Sequence, residues 1–218
     1  MQRPGLVGRL FGAALLTTFA VGIYLNFGLY DVLTGGDGLL ANATTMSTHI
    51  GVIGLATLAS GLASIAAASM LASELRGTSP WLSRTYLALV TAGLAMSLVE
   101  YTSLSAYREL AAAAAGQSGT DLATAVLRGL RNGVHFTDKL LGGINVALMF
   151  TLLLRGRLLP AWLAWAGIVA ALAQMVGVAH GVLGFDVPML ALLPLALVYL
   201  TTLLWLLVRG FPANSAGR

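Results

Sequence analysis

The sequence predicts an all-α protein, a polytopic transmembrane bundle of six helices forming a single domain over residues 1–218. Three observations carry that expectation. Hydrophobic side chains make up 58% of the 218 residues and charged ones only 9%, whereas an ordinary soluble domain devotes about a quarter of its residues to charge. Six apolar stretches, at about 8–31, 48–73, 85–107, 131–154, 159–182 and 187–208, each match the roughly 20 residues needed to cross a bilayer core. Basic residues collect on one side of the alternation these spans define.

The breaks between spans are short and made of turn-forming residues: Thr34 to Gly38, Arg76 to Pro80, Gly116 to Asp121, Arg155 to Arg157 and Gly184 to Pro188. A β-barrel would need ten-residue alternating strands, and these runs are rich in Ala and Leu instead. The first span follows Arg3 and Arg9, as a signal peptide would. It runs past the usual h-region and carries Asn26, Tyr30 and Asp31 at its far end, so it reads as a retained anchor. Small residues on the second span (Gly51, Gly54, Ser60, Gly61, Ser64) allow close backbone approach, which places that helix at the centre of the bundle. The alanines 111–115 read as a short helical linker outside the membrane.

With six spans both termini share a side, and that side holds Arg3, Arg9, Arg76, Arg84, Arg155, Arg157, Arg209 and Arg218, eight of the twelve bases. The positive-inside rule makes it cytoplasmic, and the four tryptophans (Trp81, Trp162, Trp165, Trp205) fall at the same ends. Abundant Ala, Gly, Leu and Arg with a single Lys suggest a bacterial source, hence the bacterial inner membrane. The net charge of +4 comes from scattered bases, so the expected partner is the lipid bilayer and not nucleic acid. The small-residue faces would also suit a membrane-protein partner or a homo-oligomer. No cysteine is present, which excludes disulfides, thiolate metal sites and a cysteine nucleophile.

Ionisable groups inside a bilayer cost a few kcal/mol each at least, so their placement is informative. They gather in the outer-leaflet half: Glu100 and Tyr101 on the third span, His49 at the start of the second, His180 at the end of the fifth, and Arg128, Arg131, His135, Asp138 and Lys139 at the start of the fourth. The cytoplasmic halves read as Leu, Ala, Val and Gly. At 100° per residue Arg128, Arg131, His135 and Asp138 fall at about 0, 300, 340 and 280°, with Gly142 and Asn145 continuing the stripe inward. That face should look into the bundle. It reads either as a pairing network, with Asp138 on Arg131 or Lys139 and Glu100 on an arginine of the fourth span, or as a ligand-facing or proton-relay surface. His49, His135 and His180 with Glu100 have the chemistry of a His-and-carboxylate metal centre, and His135 with His49 or His180 could ligate a haem. A metal ion or haem would be the cofactor of such a site.

Arg9-Leu10-Phe11-Gly12 opening an apolar helix, a Gly-rich second helix, His135 and Gly142-Gly143 in the fourth, and Leu158-Leu159-Pro160-Ala161-Trp162 after a basic turn together resemble a bacterial membrane-protein family, that catalogued as domain of unknown function 4386. The resemblance covers about residues 5–185. It implies a fold of about six helices and bacterial membrane residence, and no activity. Three functional classes follow from the residues. The first is a membrane protein with a polar pocket for a small ligand, lipid headgroup or ion, lined by Arg128, Arg131, His135, Asp138, Glu100 and Tyr101. The others are a non-catalytic subunit of a membrane complex and a histidine-ligated metal or haem enzyme or electron carrier.

Overall fold

The computed structural model describes residues 4–36, 38–113 and 120–212, and no strand occurs among them. The first helix, α1 (Pro4–Ile23), passes through a π-helical stretch (Tyr24–Leu29) into α2 (Tyr30–Thr34). Asn26 donates its Nδ2 to Gly22 O at 2.7 Å inside that stretch. A π-bulge widens the helix by one residue and is found most often where function needs it. Gly36, at φ 57°, turns the chain, and α3 (Leu39–Thr45) folds back. Asn42 Nδ2 there donates to the carbonyls of Val32, Leu33 and Gly35, closing the C-terminus of α2.

The remaining elements are α4 (Ser47–Glu74), α5 (Pro80–Ala113), α6 (Thr120–Arg155), α7 (Ala161–Val182), a 3-10 turn (Met189–Ala191) and α8 (Leu193–Arg209). Pro80 opens α5, where a missing N–H costs nothing. Five stretches are long and apolar enough to cross a membrane, at 30, 28, 34, 35 and 22 residues. The sixth apolar helix, α8, has 17 residues, about 26 Å at 1.5 Å per residue. It begins later than the expected 187: Val187 and Pro188 are irregular, and the α-helix starts at Leu193 with Pro194 in its first turn. The third and fourth helices, by contrast, outrun their expected spans at both loop and terminal sides. Ala111–Ala113 belong to α5 instead of a separate linker, and residues 114–115 lie outside the described residues.

Each long helix packs against its neighbour in sequence, α1 on α4, α4 on α5, α5 on α6, α6 on α7 and α7 on α8, and α8 returns to α1. The result is a closed ring of six helices. The second span is therefore one member of the ring and not its centre. Its small residues are used inside the ring: a side chain at Gly54 would overlap the Tyr101 ring and one at Gly61 would meet Leu94, while Ser64 shares a hydrogen bond of 2.7 Å with Thr18. Its larger residues Val52, Leu55 and Leu62 point outward and are exposed.

The start of α1 meets the end of α8. Arg9 donates to Val208 O at 3.3 Å, Phe11 and Phe211 rings stand 6.0 Å apart, and only glycine fits at Gly8 and Gly210, where the two backbones touch. This terminus-bearing end is filled by an apolar cluster including Phe11, Leu71, Phe150, Leu153 and Leu203. A second, smaller cluster at the distal end joins Leu29, Leu33, Ile50, Leu104 and Tyr107. The polar residues lie between them.

Candidate functional site

Arg131 and His135 sit one turn apart on α6, so both reach the same side of the neighbouring α5. There they share one carboxylate oxygen. Glu100 Oε1 accepts from Arg131 Nη2 at 3.0 Å and from His135 Nδ1 at 2.9 Å. The expected pairing of Glu100 with an arginine of the fourth span is thus made by Arg131. The guanidinium also lies over the Tyr30 ring, 3.6 Å from its centroid, and a cation stacked on an aromatic face is stabilised by the ring's quadrupole. Glu100 and Arg131 are each 5% exposed. Tyr30 follows directly on the π-helical stretch, which had no signature in the hydropathy pattern.

Asp138 pairs with its neighbour Lys139 at 3.3 Å and not with Arg131, whose guanidinium is held between Glu100 and Tyr30. Arg128, expected on the same inward face, is exposed, while its neighbour Leu127 packs against the distal apolar cluster. Tyr101 packs against Gly54 beside Glu100.

The histidines do not come together. His49 is exposed at the start of α4, and His180, also exposed, hydrogen-bonds through Nδ1 to Val176 O at 3.0 Å in its own helix. Among the described residues no group of three or more His, Cys, Asp or Glu side chains could hold a metal ion. The expected convergence of His49, His135 and His180 is therefore not formed: three helices that carry one histidine each point two of them away from the ring axis.

Inside the ring lies an elongated cavity of about 270 Å³. It is lined by five of the six ring helices, with Glu100, Tyr101, Asp138 and Lys139 on its distal wall and Tyr86, Met149 and Tyr199 deeper. Tyr86 and Glu100 are fourteen positions apart on α5, about 21 Å along the axis. Leu15, Tyr86, Val90 and Met149 belong to the terminal apolar cluster as well, so that cluster is the cavity's floor. The terminal half of the bundle is consequently not purely apolar, as the sequence suggested: Thr18, Ser64, Tyr86 and Tyr199 bring hydroxyls along the cavity.

Two of the lining polar atoms are buried without a hydrogen-bond partner, Thr57 Oγ1 and Asn145 Oδ1. Buried polar groups are satisfied in the large majority of cases, and Tyr107 Oη, Arg131 Nε and Thr202 Oγ1, outside the cavity lining, are likewise buried without a hydrogen-bond partner. Asn145 was legible as the deep end of the α6 stripe. Thr57 stands at helical spacing with Ser60, Gly61 and Ser64, which line the cavity too, and spacing gives the shared face but not what that face looks onto.

The five long apolar helices fit a multi-pass membrane protein. No curated protein and no solved structure matches the chain. The family model described as domain of unknown function (DUF4386) matches residues 10–210, nearly the whole chain, and the protein belongs to that family.

Proposed function

We propose that this chain is a six-span protein of a bacterial inner membrane, both termini cytoplasmic, that binds a small ligand in the cavity on its ring axis. The single observation that carries this reading is the largely apolar cavity inside the ring with Thr57 Oγ1 and Asn145 Oδ1 unpartnered on its wall. Pockets for small molecules are typically concave and mostly apolar, with a few placed polar groups. Glu100, Tyr101 and the Asp138–Lys139 pair stand on its distal wall, and Arg131 and His135 hold Glu100 without lining the cavity themselves. Arg128 plays no part in it. At 17 residues α8 still spans most of a bilayer core of about 30 Å, and the tryptophans at the terminus-bearing ends suit a cytoplasmic headgroup region.

The test fills the cavity from its own wall. Gly93 and Gly142 line it, and a Cβ at either meets nothing within 4 Å. Gly93→Leu and Gly142→Leu therefore occupy ligand space without a backbone clash. Gently solubilised wild-type protein is expected to release a small molecule on denaturation, detected by mass spectrometry of the extract, and both variants are expected to lose it while still unfolding cooperatively on heating. A wild-type protein that carries nothing, or variants that keep the same molecule, would overturn the reading.

A further inference from the structure

The chemistry of the cavity wall narrows what can enter it. Every charged side chain that reaches the wall is already compensated within the protein, Glu100 by Arg131 and His135 and Asp138 by Lys139. A ligand with net charge would bring an unpaired charge into a low-dielectric interior, which is strongly unfavourable. Among the lining residues, the buried groups left without a partner are neutral. Thr57, on α4, is 6% exposed and its hydroxyl is free; Asn145, on α6, has a free amide oxygen seven positions deeper than Asp138, about 10 Å along the helix. The phenols of Tyr86, Tyr101 and Tyr199 line the same space, and Val90, Leu94 and Met149 provide apolar wall between them.

Size sets the other limit. At about 30 Å³ per molecule of liquid water, a cavity of about 270 Å³ holds the equivalent of about nine waters, hence a ligand of roughly ten non-hydrogen atoms. We infer that the cavity takes an uncharged, elongated molecule of that size with hydroxyl or carbonyl oxygens along its length, met by Thr57 toward the distal wall and by Asn145 toward the floor. This inference rests on the reading of the cavity as a ligand site. A single polar headgroup with a bare tail would leave one of the two partners unsatisfied, and an ion would leave the apolar wall unused.

A charge series of one chain length tests it. Six-carbon probes with a mid-chain diazirine and two terminal groups, a diol, a diammonium and a dicarboxylate, are irradiated with the protein in phosphatidylcholine nanodiscs. Labelled peptides are then mapped, and cavity labelling is normalised to the exposed α7 positions Val169 and Leu172. The diol is expected to label the stretches around Tyr86–Tyr101 and Asp138–Met149 at least five-fold more than either charged probe. Thr57→Val with Asn145→Leu is expected to cut that labelling several-fold and leave α7 unchanged. Stronger cavity labelling by the diammonium or the dicarboxylate would overturn the inference while sparing the ligand site. No cavity labelling by any probe, with α7 labelled, would instead overturn the ligand site itself. The wild-type series decides the question even if the double variant does not fold.

Discussion

At the terminus-bearing end the ring is closed by hydrocarbon: Phe11 and Phe211 at 6.0 Å, with Leu71, Phe150, Leu153 and Leu203 fully buried around them. Toward the distal end the same ring holds a shared carboxylate, a stacked guanidinium and a cavity. Lipid tails are as apolar as leucine, so the terminal end gains from packing and little from exclusion of water. The polar wall, which bilayer would not tolerate if it were turned outward, requires the ring to be closed around it. The dry end thus fixes the ring and the polar region depends on it, and substitutions at the two ends should fail differently.

The largest effect is expected at Glu100. Glu100→Gln leaves the Arg131 guanidinium, 5% exposed, without its counter-charge, and breaking a buried pair from one side costs about 3–5 kcal/mol. Denaturant unfolding in mixed micelles should show that loss. The double variant Glu100→Gln, Arg131→Met should recover most of it, because it removes the stranded charge as well. Recovery by the double variant separates an electrostatic fault from a general collapse of the polar region.

At the dry end no such rescue is available. Leu71 is 0% exposed within the terminal cluster, and truncating a buried leucine to alanine costs about 3 kcal/mol through lost contacts and a residual cavity. Leu71→Ala should lower stability by that amount, measured in the same way. It should leave binding in the axial cavity unchanged at temperatures where the protein is folded. Equal loss of binding in Leu71→Ala and in Glu100→Gln would erase the contrast between the two ends.

The helices were legible because a bilayer demands long apolar runs, and the turn-forming breaks at Arg76 to Pro80 and Arg155 to Arg157 mark their ends with little ambiguity. Helix ends were less so where sequence chemistry is permissive: Ala111–Ala113 continue α5 because alanine is the best helix former, and the two prolines near 188 and 194 delay α8. The α6 stripe put Arg128, Arg131, His135, Asp138 and Asn145 on one face, since helical periodicity is a local property, and of these Arg128 is exposed while Asp138 and Asn145 line the cavity. Ring closure is not local. That the face shared by Thr57, Ser60 and Ser64 looks onto the axis, and that Tyr30 lies beneath Arg131, depend on α8 returning to α1 and on a π-helical stretch that no residue in Tyr24–Leu29 announces. His49 and His180 shared a leaflet in the sequence and share nothing in the ring, because depth constrains a residue's level and not its direction.

The smallest effects discriminate most finely, at two glycines that differ only in what lies opposite. A Cβ at Gly54 would overlap the Tyr101 ring, whereas a Cβ at Gly142 meets nothing within 4 Å. Gly54→Ala should therefore force Tyr101 off the wall and destabilise by about 1–3 kcal/mol, as overpacking does. Gly142→Ala should stabilise by about 0.5–1 kcal/mol, the gain of replacing a helix-interior glycine where space is free. Opposite signs at the two sites, read from unfolding in mixed micelles, are what a ring packed tightly between α4 and α5 and hollow beside α6 requires. Equal and unfavourable shifts at both would mean that the axis is filled by protein, and the cavity at the polar end would then be no different from the packed end that closes it.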